Sequence, residues 1–190
     1  NLSLKILDSY LKKNIKFFKS IIISDYDKGF IDNNIMKIVT SYSKKNDIPI
    51  FVDPKKSNPK IYEGANFISP NFKEFRNFYP NLNYKEKIKK IFESTGINYL
   101  VVTNSARGSF YINKNLKKIN FKGFKIIKRD VSGAGDTFLS LTSLCLKDGL
   151  PAEVAAFFGS AAAALSVGKV CNRDPVNSEE LYNFITGLLK

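Results

Sequence analysis

Short apolar runs rich in β-branched residues recur along the first half of the chain, and each feeds directly into polar residues. Ile21 to Asp25 is such a run, bounded by polar sequence, and it predicts a buried parallel strand ending in Ser24 and Asp25. Ile50-Phe51-Val52 leads in the same way into Asp53-Pro54-Lys55. Ile68 leads into Ser69-Pro70-Asn71, and Tyr99 to Val102 leads into Thr103. Between these runs, Leu4 to Phe17, Ile31 to Lys45 and Lys85 to Glu93 have the spacing of amphipathic helices with Lys-rich outer faces. Strand and helix in alternation imply right-handed crossovers and a parallel sheet covered on both faces, a three-layer α/β/α architecture. Phe110 to Ile112, Lys117 to Phe121 and Phe124 to Ile127 read as short antiparallel strands. Three helices follow, of which Pro151 to Val167, with Ala155, Ala156 and Ala161 to Ala164, is apolar enough to be buried on most sides.

With 190 residues and 44% hydrophobic composition, the chain predicts one domain spanning residues 1–190 with a real core. No stretch is long and apolar enough to span a bilayer, and no charged start followed by an apolar run resembles a secretory signal, so the expectation is a soluble, cytoplasmic protein without a membrane partner. The net charge of +13 would suit a polyanion. Nearly all of that excess is Lys, however, scattered through every predicted helix, and no recognition helix, ribonucleoprotein motif or metal-finger spacing accompanies it. Nucleic-acid binding is therefore not expected. Cys145 and Cys171 are too few and too separated for a disulfide framework or a zinc site.

The densest chemistry lies in Asp130-Val131-Ser132-Gly133-Ala134-Gly135-Asp136-Thr137. Small residues opening a helix expose its unpaired amides and the positive end of its dipole to a phosphate. Asp136, in the same first turn, could accept a proton from a hydroxyl. Ordinary tight packing would also explain the small residues.

This octapeptide resembles the C-terminal signature of the PfkB, or ribokinase-like, family of carbohydrate kinases. Ser24 to Gly29 (Ser-Asp-Tyr-x-Lys-Gly), Asp53 to Lys55 (Asp-Pro-Lys), Pro70 to Phe75 (Pro-Asn-x-x-Glu-Phe), Val102 to Ser105 and Val167 to Lys169 are similar to the branch of that family that phosphorylates D-glycero-D-manno-heptose 7-phosphate. The resemblance runs from about Ser20 to Leu181. It implies a ribokinase-like, Rossmann-like α/β fold and transfer of a phosphoryl from ATP to a sugar hydroxyl. The expected acceptor is C1 of heptose 7-phosphate, in the synthesis of the ADP-heptose precursor of the lipopolysaccharide core. Another sugar, or a nucleotide-binding module without catalysis, are the alternatives. ATP and Mg²⁺ are the implied cofactors, with a monovalent cation and a homodimer as family options.

By the same resemblance Asp136 is the base, and the amides of Gly133, Ala134 and Gly135 hold the transferred group. Asn71 and Glu74 serve metal and phosphate, Glu74 through water on Mg²⁺. The residues alone equally allow Asn71 and Glu74 to be a helix capping pair. Thr103, Ser105 and Gly108 would form the nucleotide turn, although Gly108 also suits a plain hairpin and Arg107 a solvated surface. The helix from Pro151, including Ser160 and Ala163, would wall the adenine pocket. Ser160 replaces the Asn usual in heptose kinases, and Cys171-Asn172 replace Gly-Thr. Asp25, Lys28, Asp53 and Lys55, with Lys56 beside them, are the candidate sugar-phosphate contacts. A diglycine sugar motif, further strands and a lid are not present in the chain. The resemblance therefore implies the C-terminal portion of such a kinase, weakly active or inactive by itself.

Overall fold

A computed structural model describes residues 2–169 and 174–188. The helices are α1 (Leu2–Asn14), α2 (Asn33–Asn46), α3 (Phe72–Asn77), α4 (Tyr84–Thr95), α5 (Ala134–Lys147), α6 (Ala152–Val167) and α7 (Ser178–Leu188). The strands are β1 (Ile21–Ser24), β2 (Ile50–Asp53), β3 (Phe67–Ile68), β4 (Tyr99–Thr103), β5 (Ser109–Asn113) and β6 (Lys118–Phe121). They form one sheet in the order β1-β2-β3-β4-β5-β6.

The first four strands run parallel, with Ile21 opposite Ile50, Phe51 opposite Phe67 and Phe67 opposite Tyr99. All four carboxyl ends consequently point the same way. β4 to β6 are antiparallel, with Thr103 opposite Ser109 and Ser109 opposite Phe121. Side chains two apart on a strand share a face, and this alternation divides the core. Ile50, Val52, Ile68, Leu100 and Val102 pack with α1, α2 and α4 on one side. Phe51, Phe67, Val101 and Tyr111 pack against Phe138 and Leu139 of α5 and Ala152 and Ala156 of α6 on the other. Both faces of β2, β3 and β4 are covered, which explains why these central strands read as unbroken apolar runs; β1, expected to be buried, is instead an edge strand with Ile22 exposed.

Helix boundaries follow local capping. The Asp32 carboxylate accepts from the amides of Asn34 and Ile35 to open α2, and Asn83 with Glu86 forms a capping box at α4 that Gly96, in a left-handed conformation, terminates. The first helix closes at Asn14, and residues 15–17 continue only as a tight single turn.

One expected element does not form. Phe124 to Ile127 is not a third antiparallel strand, and residues 122–128 carry no regular structure. The pairing ends at Phe121, because Gly123 then approaches the backbone of Ala106 and Gly108 so closely that a Cβ on Gly123 would lie 2.0 Å from the Ala106 carbonyl oxygen. Phe124 turns instead to Phe157 of α6 and Phe184 of α7, with ring centroids 5.8 and 5.3 Å away.

α5 makes its most extensive packing with α6, and Gly159 sits at their closest approach. A Cβ there would meet Thr142 Oγ1 at 2.1 Å and the Phe138 carbonyl oxygen at 2.8 Å. Alanine is favoured over glycine inside a helix by about 1 kcal/mol, but overpacking a core costs about 1–3 kcal/mol. Gly159→Ala is therefore expected to destabilise the fold, read as a lower urea midpoint at unchanged slope; an unchanged or higher midpoint contradicts this helix contact.

Candidate functional site

The parallel strand ends set the site. At β1 the Asp25 amide donates to the Asp53 carbonyl at 3.0 Å, extending the ladder one residue beyond Ser24. Asp25 itself is buried at 2% exposure. Its carboxylate accepts from the Tyr62 hydroxyl at 2.7 Å and the Asp27 amide at 2.8 Å. Tyr62 is also fully buried, and its hydroxyl oxygen accepts from the amides of Lys55 and Lys56, both at 3.0 Å. One phenol thus ties the loop after β2 to the end of β1, fixing the backbone on which Asp53 and Lys55 stand.

α5 begins over these strand ends. Its N-cap is Gly133 at φ 75°, a left-handed conformation that glycine adopts without strain, and no side chain caps the first turn. The helical ladder starts with the Thr137 amide on the Gly133 carbonyl at 2.8 Å, while the Ala134 amide makes a 3.4 Å bond to Val131. The next amides, of Gly135 and Asp136, belong to the turn that has no intrahelical acceptor. Asp136 is held by β1: Ser24 Oγ donates to Oδ1 at 3.0 Å and the Tyr26 hydroxyl donates to Oδ2 at 3.1 Å. A Cβ on Gly135 would lie 3.5 Å from Asp53 Oδ2, so the turn comes down beside that carboxylate.

A cavity of about 430 Å³ opens between the strand ends, α5 and α6, within the range of small-molecule sites. It gathers Asn71, Thr103, Ser105 and Gly108 from the β3 and β4 ends, Ser160 and Ala163 from α6, Ala134 and Gly135 from α5, and Asp53 and Lys55 from the β2 end. Ser109 and Ser160 meet across it at 3.4 Å between hydroxyls. Glu74 joins from α3 through an ion pair with Lys55. Asn71 and Glu74 do form a reciprocal capping box, with bonds of 2.8 and 3.0 Å, and Asn71 lines the cavity as well. Gly108, at φ 94°, is required where it stands, since a Cβ there would lie 2.0 Å from the Phe121 carbonyl oxygen.

Other expected residues lie elsewhere. Asp25 is sequestered beneath the site, Lys28 is exposed on the loop after β1, and Lys56 pairs with Asp27. None of these lines the cavity. Cys171 and Asn172 lie outside the described residues. In the other direction, sequence reasoning missed Lys122, Lys128 and Val131, which line the cavity from the irregular segment before α5. It also missed Tyr62, which holds Asp25, and the bond that Tyr26 of the Ser24–Gly29 segment makes to Asp136.

The electrostatics are those of a site short of positive charge. Burial pushes Asp53 up to about 7; Lys55 opposes this, and the charges of Glu74, Asp136 and Asp25 add to it. Burial works against the charged form of Lys55, yet its bond to Glu74 and the charges of Glu74, Asp53 and Asp136 outweigh that and hold its pKa above the ordinary value. Tyr26 is likewise raised, chiefly by its hydrogen bond to Asp136. Among the described residues no three acidic, histidine or cysteine side chains are arranged to hold a metal by themselves. Hard oxygens on Asp53 and Glu74 beside this cavity nevertheless suit Mg²⁺, which is commonly held by one or two carboxylates together with substrate phosphates.

The family described as pfkB family carbohydrate kinase matches residues 5–178. The Bifunctional protein HldE of Campylobacter jejuni subsp. doylei is 34% identical over 164 residues, an alignment that covers 83% of this chain and 35% of that protein. The chain thus spans about a third of the length of this curated relative. Among solved structures, ribokinase from Thermotoga maritima superposes with a TM-score of 0.74 at 24% identity, covering 92% of this chain and 59% of that one. A ribokinase II from E. coli in complex with ATP and Mg²⁺ gives 0.77 at 19% identity, covering 95% and 61%. The fold is therefore ribokinase-like. No described helix is long and apolar enough to cross a membrane.

Because the Asp53 carboxyl holds its proton to about pH 7 in the fold but only to about 4 when unfolded, the native state binds the extra proton between these values. Its contribution is complete below about pH 4 and is lost as pH rises to about 7. In metal-free buffer, Asp53→Asn is expected to leave stability unchanged at pH 4 and to raise it at pH 8 by on the order of 1–3 kcal/mol. Parallel urea titrations of the two proteins across pH 4–8 check this.

Proposed function

The chain belongs to the pfkB family of carbohydrate kinases, and from that premise we propose that its site transfers the γ-phosphoryl of ATP to a sugar hydroxyl. The observation that carries this reading is the first turn of α5. There, amides without an intrahelical partner border the cavity beside Asp53, while the adjacent Asp136 carboxylate faces the end of β1. Donor and base thus occupy opposite sides of one turn.

In the proposed reaction the nucleotide lies in the cavity, with its base toward Ser160 and Ala163 on α6. The triphosphate extends past Thr103, Ser105 and Gly108 toward α5. Amides at Ala134 and Gly135 hold the transferring phosphoryl, where fixed dipoles stabilise charge without reorganising. Asp136 accepts the proton of the acceptor hydroxyl as that oxygen bonds to phosphorus, and the bond from the γ-phosphorus to the bridging oxygen breaks to release ADP. Asn71, Glu74 and Asp53 would hold Mg²⁺, Glu74 through water, and the ion would there neutralise phosphate charge. Lys55, already among three carboxylates, lines the same cavity and would face that charge.

The acceptor we propose is C1 of D-glycero-D-manno-heptose 7-phosphate, which places the reaction in the supply of ADP-heptose for the lipopolysaccharide core. Supporting this are the strand-end segments Ser24–Gly29, Asp53–Lys55 and Pro70–Phe75 and the similarity to a bifunctional HldE protein.

Saturable, Mg²⁺-dependent binding of a non-hydrolysable ATP analogue to the chain is the first expected result; a basic scaffold would show none. In a full-length kinase that carries this chain, Asp136→Asn is then expected to lower transfer to heptose 7-phosphate by about 10²–10⁴-fold, the usual worth of a positioned general base, with analogue affinity essentially unchanged. Transfer that survived this substitution would remove Asp136 from the assigned role.

A further inference from the structure

Tyr26 is 62% exposed, yet it is anchored at both ends. Its hydroxyl donates to Asp136 at 3.1 Å. Its backbone leaves β1 between Asp25, which is buried and tied to Tyr62, and Asp27, whose amide turns back onto the Asp25 carboxylate at 2.8 Å. The ring is therefore held in place while presenting its surface to solvent. Neither Tyr26 nor Ser24 lines the cavity that Ala134, Gly135 and Asp53 border. Asp136 stands between the two regions, so a hydroxyl delivered to its open side would arrive over Tyr26.

We infer that Tyr26 is the platform for the acceptor sugar, its ring face taking the C–H side of a sugar phosphate and its hydroxyl, with that of Ser24, orienting the Asp136 carboxylate. This rests on the kinase reading. The negative face of an aromatic ring attracts the weakly positive hydrogens of a sugar's apolar side, and a phenol combines that apolar body with a polar tip. Each Asp136 oxygen accepts one protein hydrogen bond and keeps a further lone pair, so the carboxylate is fixed in direction and still able to take the acceptor proton. Tyr26 keeps its own proton throughout; the raised pKa that Asp136 imposes on it is consistent with a permanent donor.

A full-length kinase that carries this chain together with its sugar-binding part, labelled with ¹³C in its tyrosine rings, provides the test, the Tyr26 signal being identified by its loss in Tyr26→Phe. With Mg²⁺ and the ATP analogue present, titration with heptose 7-phosphate is expected to shift the Tyr26 signal saturably. Tyr26→Leu should weaken sugar binding by about tenfold, the size of one good aromatic contact. Tyr26→Phe, which keeps the ring, should retain the affinity. In Asp136→Asn the phenol of Tyr26 should titrate closer to an ordinary tyrosine, which checks the hydrogen bond that holds the ring over Asp136. A Tyr26 signal unmoved by the sugar, or a Leu variant binding as tightly as the parent, overturns the inference while saturable analogue binding leaves the kinase reading standing. Absence of analogue binding, or transfer by Asp136→Asn, removes both.

Discussion

The docking of one helical turn onto two strand ends organises this molecule. The start of α5 is joined to β1 by the bonds from Ser24 and Tyr26 to Asp136. It meets β2 through the approach of Gly135 to Asp53. Those strand ends are in turn locked together by Tyr62 and the buried Asp25 carboxylate. Residues of the second core, Phe138 and Leu139, follow in the same helix and are fully buried under the sheet. A polar contact at the tip and apolar packing one turn later fix the helix in position and direction, so the amides at its start have a defined target.

That arrangement concentrates negative charge. The charges of Glu74 and Asp136 both act on Asp53, with Lys55 as the neighbouring cation. Buried like charges are unfavourable unless something positive joins them or one stays protonated. The raised Asp53 reflects the second solution. On the kinase reading a phosphate-bound Mg²⁺ provides the first, and the site is better balanced when loaded than when empty.

Much of this was legible in the chain. β2 and β4 announce themselves because strands buried on both faces need apolar side chains at successive positions, whereas β1, equally apolar, is an edge strand on which Ile22 stays exposed; the small residues from Gly133 to Gly135 mark a helix start that must stay open. The capping pair of Asn71 and Glu74 was readable from its spacing of three. What escaped depends on contacts remote in sequence. Tyr26 meets Asp136 across 110 positions and Tyr62 meets Asp25 across 37; the Ser24–Gly29 segment marks Tyr26 but not its partner, and no local pattern marks Tyr62. Lys122 and Lys128 were hidden by the abundance of lysine. Phe124 to Ile127 has strand-like composition, but a strand also needs a partner, and the approach of Gly123 to Ala106 diverts the chain before one is reached.

The contact between the turn at Gly108 and the segment at Gly123 is made by main-chain atoms alone, and either glycine given a Cβ would intrude to 2.0 Å on the opposite carbonyl. The depth of the cavity at that wall is consequently set by covalent geometry and cannot be tuned by exchanging side chains. The two positions are coupled, so neither can drift without displacing the other. Selectivity for what enters must be adjusted instead by lining side chains such as Lys122 and Lys128.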